Sequence, residues 1–194
     1  MATGDVRVEP KFSSDGLSRR LFFGEFLIAL VPIVALVAAL ASGSLLLLDY
    51  VHVITGGTWT GIDLFMGLVM TRIMRSLPIP QRVAIASRLT PKTLFLLPSL
   101  ASVAITAGVY LATVEGKFSL SSPWILAAIV VVIILSVQGF GVLLPNSVRI
   151  LLEINKENPD TAKIARLNLR NLRIAGSQGV FQIAIIFIMA NLAI

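Results

Sequence analysis

The sequence predicts an all-α fold, an integral membrane bundle of five transmembrane helices with the N-terminus inside and the C-terminus outside. Three observations predict it. First, 56% of the 194 residues are hydrophobic and only 13% are charged, against about 25% charged in soluble domains. A chain this short has too high a surface-to-volume ratio to hide so much apolar surface in a core, so the excess faces lipid. Second, five apolar stretches, at residues 21–42, 45–70, 93–113, 123–144 and 174–194, are each long enough to cross roughly 30 Å of hydrocarbon at 1.5 Å per residue. Third, fifteen of the sixteen Lys and Arg residues fall before the first stretch, between the second and third, and between the fourth and fifth. Only Lys117 lies on the other side, and the positive-inside rule assigns the basic side to the cytoplasm.

Each element has its own signals. Residues 1–20 are polar and read as a cytoplasmic N-terminal segment, with residues 21–194 as one membrane domain. Ser18-Arg19-Arg20-Leu21-Phe22-Phe23 looks like a twin-arginine export signal, with Ala39-Leu40-Ala41 as a small-residue cleavage site. The apolar run exceeds the 7–15 residues of a signal h-region, which favours a first span with an inner arginine anchor. Glu25, one turn in, is expected to reach back to Arg19 and Arg20. Gly43 and Ser44 break the chain before the second span. The third is expected to begin after Pro91, and Pro32 and Pro98 to kink their helices. Pro123 suits the first turn of the fourth span, which ends before Pro145 and has residues 148–153 as a continuation into the cytoplasm. Residues 160–173 are basic and amphipathic, with Ile164, Leu167 and Leu172 among the charges, and read as a segment lying along the membrane surface.

Composition also excludes chemistries. With no cysteine, the chain holds no disulfide, thiolate zinc site or iron–sulfur cluster. A single histidine, His52, excludes a site of several histidines. The net charge of +6 follows the topology, so the partner it indicates is the lipid bilayer, with anionic headgroups, and no nucleic acid. Residues 145–167 contain no nucleotide-binding loop.

The second span carries the unusual residues. Asp49, His52, Gly56, Trp59, Asp63, Met66 and Met70 recur at spacings of three and four, which places them on one face of a helix. A charged group near the bilayer centre costs roughly 2.5–3.5 kcal/mol on insertion scales, so this face is expected to turn into the bundle. By depth, Asp63 is expected to share an inner layer with Gln138, Gln182 and Gln178, and His52 an outer cluster with Asp49, Tyr110, Asn191 and Lys117. Two readings stand for each key group. His52 is either an axial ligand of haem b, with Asp49 orienting its other nitrogen, or an interfacial histidine bonded to a neighbouring helix. Asp63 is either a proton-relay or ion-coupling carboxylate or a structural partner of Gln138, Gln182 or an inner arginine. Met66, Met70 and Met74 are either a copper(I) track or packing. Gly56 permits close approach of a helix or flat ligand, and Gly139 and Gly141 permit close helix contact.

The segment from Leu48 to Gly61, with His52 followed seven residues later by Trp59 and then small residues, resembles the first helix of the HemJ-type protoporphyrinogen oxidases and their CopD-like relatives. Arg88-Leu89-Thr90-Pro91 leading to Pro98 and Gly108 looks like that family's next helix, and Leu135 to Gly141 like its third. The resemblance runs from Leu45 onward, with the first span as an addition. It implies haem b, bound through His52 in a pocket walled by Trp59, with Gly56 and Asp49 beside it, Asp63 serving proton movement, and a redox step such as protoporphyrinogen oxidation. Where the family often has a further histidine this chain has Gln138, so the sixth iron position is open or filled by another protomer. Expected partners are a second copy or other membrane subunits, in the cell membrane. The competing class is a non-catalytic membrane subunit or a small solute or metal transporter.

Overall fold

The computed structural model describes the backbone of residues 17–193 and the side chains of residues 23–192. The expected N-terminal segment lies almost wholly outside the described residues, as do the side chains of Arg19 and Arg20. Every regular element among the described residues is helical: α1 (Leu17–Ser42), α2 (Leu45–Leu64), α3 (Thr71–Ser76), α4 (Ile79–Val114), α5 (Pro123–Ser136), α6 (Leu144–Ile154) and α7 (Thr161–Ala193). Segments Phe65–Met70 and Val137–Leu143 have i→i+5 hydrogen bonding and join α2 to α3 and α5 to α6 without a break. Among the described residues five units are long and apolar enough to cross a membrane: Phe23–Ser42, Leu45–Ser76, Ile79–Val114, Pro123–Ile154 and Thr161–Leu192.

The turns follow from their sequence. Gly43 takes a left-handed φ of 66°, which favours a residue without Cβ, and the Ser44 hydroxyl then caps α2 by accepting from the Leu47 N–H at 3.3 Å. α5 starts the same way, with Ser122 as cap and Pro123 in its first turn.

Two boundaries differ from expectation. α4 starts at Ile79 rather than after Pro91 and carries Pro91 and Pro98 inside it. Pro80 in its first turn gives a start signal that the apolar run alone does not show. Residues 161–173 do not lie apart on the membrane surface but form the first turns of α7. The reason is packing. At 36 and 33 residues, α4 and α7 extend about 54 and 50 Å at 1.5 Å per residue, longer than the hydrocarbon, and their basic ends meet the end of α6. There Ala86, Ile150 and Ile164 are each fully buried against Val83, Ile154 and Leu167. The amphipathic face expected to meet lipid headgroups meets protein instead. Residues 148–153 do continue the fourth span, within α6.

The membrane part has two further cores. Leu36 and Ala39 of α1, Leu48 and Val51 of α2, and Val103, Ala107 and Leu111 of α4 interlock toward the end opposite the basic loops. Midway, Trp59 packs with Leu100, Ala101 and Leu135. Ser99 also donates its hydroxyl to the Ala29 carbonyl, tying α4 to α1. Glu25 pairs with Lys92 of α4 at 2.7 Å, where the sequence suggested Arg19 and Arg20. Large apolar side chains such as Leu46, Phe187 and Val180 point outward, as lipid contact requires.

Candidate functional site

The inward face of α2 is built as its periodicity predicts over one stretch and departs from it at both ends. Leu48, Val51, Thr55, Trp59, Thr60 and Asp63 are buried, while Asp49 is exposed and His52 and Gly56 are half-buried. Beyond Asp63 the i→i+5 segment changes the helix phase, no residue of Phe65–Met70 is buried, and Thr71 and Met74 turn inward instead. Met66, Met70 and Met74 therefore do not share one buried face. Gly67 sets this stretch against α7. A Cβ there would sit 2.1 Å from the Gly176 Cα, so the two backbones cross in direct contact.

His52 is wedged between α2 and α4. Its Nδ1 lies 2.8 Å from the Ala104 carbonyl oxygen. A carbonyl only accepts, so Nδ1 donates here, and in the neutral ring Nε2 holds the lone pair. The ring lies over Gly108, where a Cβ would be 2.7 Å from Cε1. The place expected for Asp49 is thus taken by main chain of α4. The rest of the outer cluster does not form: Lys117 pairs with Glu115 at 3.3 Å, Asn191 donates to the Phe187 carbonyl, and Tyr110 faces outward. A Cβ on Gly56 would meet Ala104 at 3.9 Å, which is ordinary contact, so α4 already fills the space before that glycine.

Asp63 is fully buried, and its Oδ2 accepts from Gln182 Nε2 at 2.9 Å. Trp59 reaches the same carboxyl from one turn away. Asp63 Oδ1 and Gln182 Oε1 are each buried without a bonding partner. The expected polar layer exists but divides into pairs: Gln178 donates to the Leu135 carbonyl at 3.0 Å and Gln138 to Ser177 at 3.3 Å.

Sequence reading missed the residues nearer the basic end. Asn171 donates to Ser147 at 3.1 Å and accepts from Asn146 at 3.0 Å. Asn168 is buried, with an Oδ1 that has no partner. The signal was present: Asn168, Asn171, Ala175, Gln178 and Gln182 recur at spacings of three and four, the pattern that marks α2. Asn168, Asn171, Ala175 and Gln178 border a cleft of about 820 Å³ including its opening, between α4 and the α5–α6 unit with α7 behind. Trp59, Leu97, Ala101 and Leu135 form its apolar walls, and neither His52, Gly56, Asp49 nor Asp63 reaches it. No cluster of three or more metal-binding side chains occurs among the described residues.

No family model matches the chain, and neither the curated proteins nor the solved structures give a match.

Proposed function

We propose that the chain is a haem-binding, redox-linked protein of the cell membrane, of the HemJ/CopD-like kind that its His52–Trp59 segment resembles. The observation that supports this reading is the tautomer of His52. With Nδ1–H committed to the Ala104 carbonyl, the ring is oriented and Nε2 is left as a σ-donor, the arrangement that metal-ligating histidines use. A proximal imidazole of this kind suits haem b. The donor fits the group, while the enclosure is incomplete within one chain. Gly108 closes one face of the ring and the large cleft does not reach it, so another protomer or membrane subunit would have to complete the pocket. When bound, haem supplies one-electron chemistry. The chain's own groups would orient the ligand, with Ala104 and Gly108 holding the His52 ring, and Asp63 would serve proton movement. A step such as oxidation of protoporphyrinogen IX is the activity the resemblance implies.

The test is optical. Protein purified from a haem-replete host is expected to show a Soret band that disappears in His52→Ala. A folded wild-type protein without that band, or a band that survives the substitution, removes haem ligation by His52.

A second reading, a non-catalytic subunit or small solute transporter, is favoured by the cleft, whose polar groups lie away from His52. A colourless, folded protein that co-purifies with another membrane protein supports it.

A further inference from the structure

The cleft between α4 and the α5–α6 unit combines four features that bear on an occupant. Its walls are apolar along Leu97, Ala101 and Leu135. Among the described residues no charged side chain lines it. It follows α7 from Asn168 to Gln178, ten residues or about 15 Å of helix. At its basic end Asn168, 5% exposed, presents a carbonyl oxygen with no donor. A buried acceptor left unpaired is costly, so an occupant that donates a hydrogen bond there is favoured over an empty apolar slot. An ionised headgroup is disfavoured, because nothing in the cleft compensates its charge.

The cleft is also reachable from the bilayer. Between α4 and α5 the side chains of Leu100, Ala101 and Leu135 pack with Trp59, and beside them Phe140 stands exposed at the cleft's edge. An apolar chain can therefore reach the cleft from the bilayer beside Phe140 without crossing water.

We propose that this cleft binds a neutral single-chain lipid alcohol, its tail along α4 and α5 and its hydroxyl donating to Asn168 Oδ1. The site is separate from His52 and does not depend on haem.

The experiment uses the full chain in nanodiscs with a photoactivatable long-chain alcohol and the matching fatty acid. The alcohol is expected to label the α4, α5 and α7 segments bordering the cleft, saturably and in competition with unlabelled alcohol. The ionised acid is expected to label them at least about tenfold less. Ser136→Phe, which fills the slot from a half-buried position, is expected to abolish labelling. Asn168→Leu is expected to weaken binding roughly two- to tenfold, the range for one lost hydrogen bond. Non-saturable labelling spread over lipid-facing residues such as Phe187, or equal labelling by acid and alcohol, overturns the proposal. Should both variants fail to elute as monodisperse protein, the wild-type comparison of alcohol and acid decides alone.

Discussion

Asp63 and Gln182 meet across 119 residues of sequence in an apolar interior. A carboxyl there needs a donor, because an unpaired buried polar group costs about 1–3 kcal/mol. Gln182→Leu removes that donor and is expected to destabilise the protein by about that amount. Asp63→Asn keeps the shape and can pair amide to amide, so it is expected to cost less than about 1 kcal/mol. Thermal unfolding in detergent ranks the two; equal melting temperatures would show that the pair adds nothing to stability. His52 obeys the same logic with a different outcome. Its Nδ1–H is satisfied by main chain, which leaves one nitrogen uncommitted. Asp63 was legible as an inward group because one face of α2 recurs at helical spacing. Its partner was legible only as one of several groups at similar depth, since depth fixes the layer and not the rotation of the facing helix.

At the level of elements, the crossing of the Phe65–Met70 segment over α7 sets how close the helices come. Gly67→Ala places a methyl 2.1 Å from the Gly176 Cα, where backbone cannot yield as a side chain does. Overpacking of this kind costs about 1–3 kcal/mol or more. Gly57 meets nothing within 4 Å, so Gly57→Ala is expected to stabilise by up to about 1 kcal/mol through helix propensity alone. Opposite shifts in melting temperature are therefore expected from the same substitution two and a half turns apart, and a shift of the same sign in both would refute the crossing. The sequence contained both glycines but no cue to separate them. The i→i+5 segment was equally hidden. Its hydrogen bonds include Thr71 Oγ1 to the Met66 carbonyl at 3.1 Å, and it exists in register with a neighbour, not from a local breaker. The second such segment precedes Pro145, which lacks an N–H and crowds the preceding turn, so that irregularity has a visible local source.

Across the whole molecule, the basic end is fastened by Glu153, whose side chain is only 4% exposed and accepts from both Lys163 and Lys156. It also accepts from the Asp160 N–H at 3.3 Å, so one carboxylate holds the end of α6, the connecting loop and the start of α7. It lies nine residues past the apolar stretch 123–144, which is itself long enough to cross the hydrocarbon. The Lys163 ammonium, then that of Lys156, lower its pKa from 4.5 to about 2. Because the folded value is the lower one, the stabilisation is complete above pH 4.5 and is lost as pH falls from there through about 2. Cleavage of the loop at residues 155–160 by an acid-active protease is expected to rise over that interval and to be insensitive to pH in Glu153→Gln. A wild-type loop equally resistant throughout would argue against the clamp.

The sequence by itself determined the class, the number of spans and the side on which the basic loops gather, because these depend on sums along the chain: apolar length against bilayer thickness, and charge counted loop by loop. It also marked one inward face, since periodicity survives wherever a helix stays straight. Only the tertiary structure decided that the amphipathic segment packs on α4 and α6, that Ala104 rather than Asp49 holds His52, and that a neutral cleft opens between α4 and α5. Those outcomes rest on helix rotation and on which backbones touch, and neither is encoded in any local stretch of residues.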